Sequence, residues 1–148
     1  MALLLLGSPC LRGQFSLPLR HLVLTSGYGY RVHPVTAKFS FHPGIDLRAR
    51  HDTVFAIADG VVAAIGYQDL LGIYIRLEHN GLQSIYGHLS QVWVSSGDTV
   101  ISGQPIAISG ATGRVTGGHL HFSVLYLGKA LDPIQFLYHL LTYNQNHE

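Results

Sequence analysis

Val61-Val62-Ala63-Ala64-Ile65-Gly66, then Ile73-Tyr74-Ile75-Arg76-Leu77, then Ser84-Ile85-Tyr86 decide the fold: three short runs rich in β-branched and aromatic residues, cut by glycine. Branched side chains lose rotamer freedom on a helix and pack well on a pleated surface, so runs of this length read as strands. Working outward, Ile106-Ala107-Ile108 adds another. Asp59-Gly60, Asn80-Gly81, Ser96-Gly97-Asp98 and Gly117-Gly118 border these runs. Each predicts a tight connection with positive φ at its turn. The pattern is an all-β meander.

The rest of the chain has little helical signal. Pro133 to Leu141 is the one candidate: Asp132 supplies an N-cap, Pro133 fits the first helical position, and Phe136, Leu137, Leu140 and Leu141 share one side. It is expected to pack as a short lid on the sheet. Thr25 to Phe41, with Gly27, Gly29, Pro34 and four aromatic residues, reads as an ordered loop over the sheet, the kind of segment that carries function. Asp52-Thr53-Val54 and Asp98-Thr99-Val100 echo one another and point to a duplicated β-unit. Gly97 to Ile106 also resembles the hammerhead of biotinyl and lipoyl carrier domains. Carriers need a modifiable lysine at an exposed hairpin tip, and Lys38 and Lys129 do not lie in such a hairpin. That resemblance supports the fold and not a carrier function.

Composition narrows the function. The 148 residues, 47% hydrophobic and 11% charged against about 25% charged in an average domain, suit one folded core. A formal net charge of +1 leaves no basic field for a phosphate backbone, which excludes nucleic acid as a partner. The longest apolar run, Ala2 to Leu6, is far short of the ~18 residues a membrane-spanning helix needs. Residues 1–14 read as an N-terminal tail, a remnant or an atypical export signal. The domain is expected over 15–141, with a C-terminal tail at 142–148. Cys10 is alone and makes no internal disulfide. Ten histidines are the outlier, and histidine is the commonest metal ligand and the side chain that titrates nearest neutrality.

Three clusters carry the chemistry: His42-Pro43-Gly44-Ile45-Asp46, Tyr86-Gly87-His88-Leu89 and His119-Leu120-His121-Phe122. On a strand, His-x-His puts both rings on one face with Cα atoms ~6.5–7 Å apart. One ring can bind a metal while the other reaches a metal-bound water. A bend at Pro43-Gly44 brings His42 and Asp46 together, and a nitrogen from the third cluster completes His2Asp. Three protein ligands with an open fourth position suit a catalytic zinc, whereas a structural zinc is closed by four. Phe122 to Leu127 lack the carboxylate of cupin-like sites, and Ser123 and Val124 stand where metallo-β-lactamase-like sites carry Asp-His. His21, His51, His79, His139 and His147 lie in no motif with a mechanism. His33 reads as either a structural or a rim residue.

In the order in which its motifs fall, the chain resembles the lysostaphin/LytM-type zinc metallopeptidases that cut peptide bridges in bacterial peptidoglycan. The similarity runs from about Phe15 to Pro133. It rests on Thr25-Ser26-Gly27-Tyr28-Gly29-Tyr30-Arg31-Val32-His33-Pro34, His42-x-Gly44-x-Asp46, Ala58-Asp59-Gly60, Tyr86-Gly87-His88-Leu89-Ser90 and Thr112-Gly113-Arg114 leading through Thr116-Gly117 to His119-Leu120-His121-Phe122. The resemblance implies a small antiparallel β-sandwich, the duplicated hybrid motif, with a substrate groove across one sheet. It implies one zinc per chain on His42, Asp46 and His121, with His88 and His119 off the metal and catalytic. Arg31 and Arg114 would pair with substrate carboxylates or brace loops, and Thr116 would hydrogen-bond the substrate or its own turn. Work on wall peptides in the periplasm or outside the cell follows from that substrate, and a monomer is expected. The alternative is a catalytically silent member of the fold, a wall-binding module or amidase activator. Such members lose ligands, and here all five positions are filled.

Overall fold

The runs at 61–66 and 73–77 lie antiparallel, Val62 opposite Leu77 and Ile65 opposite Ile75. In the computed structural model, which describes residues 15–146, they belong to a chain of twelve strands and one helix. Ahead of them come β1 (Leu24–Ser26), β2 (Gly29–Val32), β3 (Phe39–His42), β4 (Ile45–Arg48) and β5 (Thr53–Phe55). The meander is β6 (Gly60–Gln68), β7 (Gly72–His79) and β8 (Leu82–Val92). After it follow β9 (Thr99–Val100), β10 (Pro105–Ser109), β11 (His119–Tyr126), β12 (Lys129–Leu131) and α1 (Pro133–Asn146). The expected N-terminal tail, with Ala2 to Leu6 and Cys10, lies outside the described residues.

The main sheet runs β1-β4-β11-β8-β7-β6-β9. The first half of β8 lies between β11 and β7, while its end turns to β10, Leu89 opposite Ser109 and Val92 opposite Ala107. Because β10 also pairs β5, β8 carries the chain from one layer to the next and makes the antiparallel sandwich expected from the resemblance. The core between the layers holds Ile45, Leu47, Ile75, Leu77, Tyr86, Leu120 and Phe122 from the main sheet against Val54, Ile57 and Ile106, all fully buried. Full burial of such side chains contributes roughly 1.5–3 kcal/mol each. Strand periodicity then fixes the other face. With Ile45 and Leu47 inward, Asp46 and Arg48 point outward, and with Leu120 and Phe122 inward, so do His119, His121 and Ser123.

The Asn80-Gly81 turn behaves as predicted, with φ of 59° and 93°, and Gly97 also has positive φ. Gly60, Gly117 and Gly118 do not. Gly60 is there for close packing: a Cβ would run into the Glu78 carbonyl oxygen and the His79 ring. Thr25 to Phe41 is not a loop. Its centre is the β2–β3 hairpin, a separate two-stranded sheet with Tyr30 opposite Phe41 and Arg31 opposite Ser40, and Tyr30 stacks on Phe39 at 5.5 Å. The alternation of Tyr30-Arg31-Val32 and Phe39-Ser40-Phe41 prevails over the glycine and proline around it. His33 ends the hairpin, its Nδ1 accepting the Val35 and Thr36 amides at 3.1 and 3.2 Å, which is a structural role. Thr53 and Thr99 each open a strand, but β5 pairs β10 and β9 pairs β6.

The helix starts where expected, with Asp132 Oδ1 accepting the Ile134 amide at 3.0 Å. It runs on to Asn146, so residues 142–146 of the expected tail are helical. Leu137 is buried, while Leu141 is exposed, so the seam against the body is narrower than the four-residue stripe implied. Among the described residues no helix is long and apolar enough to cross a membrane.

Candidate metal centre

The centre grows from the outer face of β4 and β11. His121 and Asp46 lie directly opposite each other in register, where cross-strand side chains meet at about 5 Å. His42 arrives from the end of β3 through a bend whose glycine is obligatory. A Cβ on Gly44 would press on Ser123 Oγ at 2.5 Å, the Phe122 carbonyl oxygen at 2.6 Å and His121 Cε1 at 2.8 Å. Any other residue would push the bend off β11 and carry His42 with it.

Three donor atoms converge there. His42 Nε2 lies 3.2 Å from His121 Nδ1, His121 Nδ1 lies 3.1 Å from Asp46 Oδ1, and His42 Nε2 lies 3.4 Å from the same oxygen. A tetrahedral ion with bonds of about 2.0–2.1 Å holds its ligands about 3.3 Å apart. The far ring nitrogens are anchored. His42 Nδ1 donates to the Gly27 carbonyl at 2.8 Å, which leaves Nε2 a bare lone pair, and His121 Nε2 meets Ser123 Oγ at 2.7 Å. Anchoring of this kind sets tautomer and ring angle at metal sites. Burial pushes the Asp46 carboxyl up, but the His121 and His42 imidazoles beside its Oδ1 outweigh it and hold the group well below the usual carboxylate range. Burial lowers the His121 imidazole despite its bond to Asp46. A carboxylate facing two imidazoles is the donor set that a divalent cation takes up, and the site fits one. Arg31 extends Nη2 to within 3.6 Å of the other carboxylate oxygen, Asp46 Oδ2.

Two more imidazoles stand beside this set. His119 Nδ1 donates to the Gly117 carbonyl at 3.0 Å, and its Nε2 lies 3.5 Å from Asp46 Oδ1. His88 is placed differently. The register between β7 and β8 shifts at this point, and His88 sits in the bulge with φ of 59°. For a residue with a side chain that conformation costs roughly 1–3 kcal/mol. The bulge brings the His88 ring to 4.5 Å from that of His119 and 6.1 Å from that of His121. The 110–118 loop and the turn before β7 hold it: His88 Nδ1 donates to the Thr112 carbonyl at 2.7 Å and its amide to the Leu71 carbonyl at 2.6 Å. Burial lowers His88 to about 4, so it is uncharged at neutral pH.

Sequence reasoning names all five of these residues but not their supports. Thr112, quoted in its motif, is given no role there: its carbonyl orients His88, and its hydroxyl accepts the Ile73 amide at 3.0 Å and donates to the Leu89 carbonyl at 2.7 Å. Gly72, with φ of 61°, leaves space for it, because a Cβ there would collide with the Thr112 carbonyl. The period-two signal that links His119 and His121 also reaches Ser123, the anchor of His121. Arg114 and Thr116 are exposed, and no side-chain hydrogen bond or ion pair joins either to the five residues.

Residues 40–133 match the model of peptidase family M23, well over half of the chain. The chain belongs to family M23. The match contains His42, Asp46, His88, His119 and His121, while Arg31 precedes it. The M23 chain is 36% identical over 126 residues to the DD-carboxypeptidase/endopeptidase Mpg of Neisseria meningitidis, covering 83% of this chain and 29% of that protein. Among solved structures it resembles a zinc containing peptidase from Vibrio cholerae, with TM-score 0.74, 37% identity, and 80% of this chain and 38% of that one covered. It also resembles the catalytic domain of lysostaphin from Staphylococcus simulans, with TM-score 0.71, 32% identity, and 78% and 92% covered. The chain thus spans less than a third of the Neisseria relative and nearly all of the lysostaphin catalytic domain.

Proposed function

We propose that this M23 chain is a zinc metalloendopeptidase that hydrolyses peptide cross-links or bridges of bacterial peptidoglycan, with 15–141 as its catalytic unit. The observation that carries the reading is the convergence of His42 Nε2, His121 Nδ1 and Asp46 Oδ1 at tetrahedral ligand spacing, with two further imidazoles alongside. One zinc on those three atoms would supply Lewis acidity, activating water at neutral pH and polarising a peptide carbonyl. Everything else is done by the chain. His88 and His119 each commit Nδ1–H to a backbone carbonyl, so each keeps Nε2 open as a proton acceptor. The lowered basicity of His88 keeps it unprotonated at working pH. A proton taken up at either Nε2 is then positioned for the departing amine, which is general base followed by general acid catalysis. Arg31 holds Asp46 from its outer oxygen and so maintains the ligand's orientation.

A substrate in the wall places the enzyme in the periplasm or outside the cell. The name of the Neisseria relative puts a DD-endopeptidase bond first among those to test. The test incubates the purified chain, with and without chelator, on peptidoglycans of different bridge chemistry and identifies new amino termini by mass spectrometry. New termini that disappear with chelator and return with zinc are expected. Intact cross-links in every wall tested, with zinc bound, would leave the silent wall-binding reading in its place.

A further inference from the structure

A concavity of about 520 Å³ is lined by Arg20, Arg48 and Arg50 together with His21, His51 and Asp52. It gathers three of the nine Lys and Arg residues of a chain whose formal net charge is only +1. The one carboxylate is already engaged, Asp52 Oδ2 accepting the Arg50 amide at 2.7 Å. None of the three guanidinium groups makes an ion pair with a described residue, and all three are exposed. The place is held by backbone: the Arg48 amide donates to the Val23 carbonyl at 2.9 Å, tying the 19–23 wall of the pocket to β4.

The position of the pocket follows from strand register. Arg48 lies two residues after Asp46 on the same outward face of β4 and directly opposite His119 on β11. The face that bears the metal ligands therefore continues past His119 into the basic concavity. Guanidinium groups bind carboxylates in a two-pronged geometry and, unlike ammonium, keep their charge at any accessible pH. An anionic group on a chain lying across His119 meets three of them.

We propose that this pocket binds carboxylates of an acidic peptide substrate and so selects acidic over amidated stem peptides on the His119 side of the metal centre. The proposal rests on the peptidase reading. Its test reads binding by calorimetry on the full chain as purified, with an uncross-linked stem tripeptide as probe, once with free carboxylates and once with them amidated. The free acid should bind about tenfold more tightly, as charge-assisted hydrogen bonds in a partly enclosed site imply. That preference should vanish in an Arg48→Gln/Arg50→Gln variant and persist in Lys129→Gln, with unchanged urea midpoints confirming intact folds.

Equal affinity for acid and amide, or a preference that survives the double substitution, overturns the proposal. So does tighter binding of a glycerol phosphodiester polymer than of the acid peptide, which would make this a phosphate site. Because the probe contains no cross-link or bridge and its binding is read directly, failure to hydrolyse walls leaves this test standing. Wall hydrolysis without acid preference removes the pocket's role alone.

Discussion

One sheet carries two buried histidine networks on opposite faces, and they differ in whether the chain completes them. On the core face, His79 Nδ1 donates to the Asp59 carbonyl at 2.7 Å, and Nε2 lies 2.8 Å from Ser84 Oγ. Ser84 Oγ in turn lies 3.1 Å from the Tyr86 hydroxyl, which accepts the Ile57 amide at 3.1 Å. Every polar atom in that series has a partner, so the network fastens β7 and β8 to the 57–59 segment. On the outer face, two imidazole nitrogens and a carboxylate oxygen turn their lone pairs to one point. A closed network is architecture, and a convergent one without its own donor is a ligand site.

Substitutions that open or close these networks test the distinction. The largest effect is expected from Asp46→Ala or His121→Ala: both the bound ion, read by elemental analysis, and wall hydrolysis should disappear. His119→Ala should keep the ion and slow hydrolysis by about 10²–10⁴-fold, the usual worth of a positioned acid or base; an ion lost with His119 would make that residue a ligand. On the core face, Tyr86→Phe strands the Ile57 amide at a cost of about 1–3 kcal/mol. It should lower the urea midpoint while leaving metal content unchanged, and metal loss in that variant would erase the contrast between the faces.

The smallest effect concerns acid. Burial lowers His79, His88 and His121 from their ordinary value of 6.5, so the unfolded chain takes up protons before the folded one does. Stability from these groups is therefore present above pH 6.5 and is lost as pH falls below it. In chelated protein the urea midpoint should decline between pH 7.5 and 5, and a level midpoint would mean that these rings are not shielded in the fold.

What is legible in the sequence follows the regular strands. Period two alone places His119 and His121 on one face, and the Pro43-Gly44 bend joins His42 to Asp46. The Asn80-Gly81 turn and the Asp132 cap announce their elements because their mechanisms are local. His88 is nameable from its cluster, but its role comes only by resemblance: its direction depends on a bulge in β8 and on a loop 24 residues away that supplies the Thr112 carbonyl. No periodicity encodes a departure from periodicity. The β2–β3 hairpin is obscured because glycine and proline at its ends outweigh two short alternating strands. The basic pocket is hidden for a related reason, since Arg20 meets Arg48 and Arg50 only when the 19–23 segment folds against β4.

Anomalous diffraction at the zinc edge, from crystals of the full chain grown with zinc, tests the convergence most directly. One peak per chain is predicted, within about 2.0–2.2 Å of His42 Nε2, His121 Nδ1 and one Asp46 oxygen, with the His88 and His119 rings outside bonding distance. A peak bonded to His119 or His88 in place of one of those three, or zinc bound only elsewhere on the surface, would contradict the account.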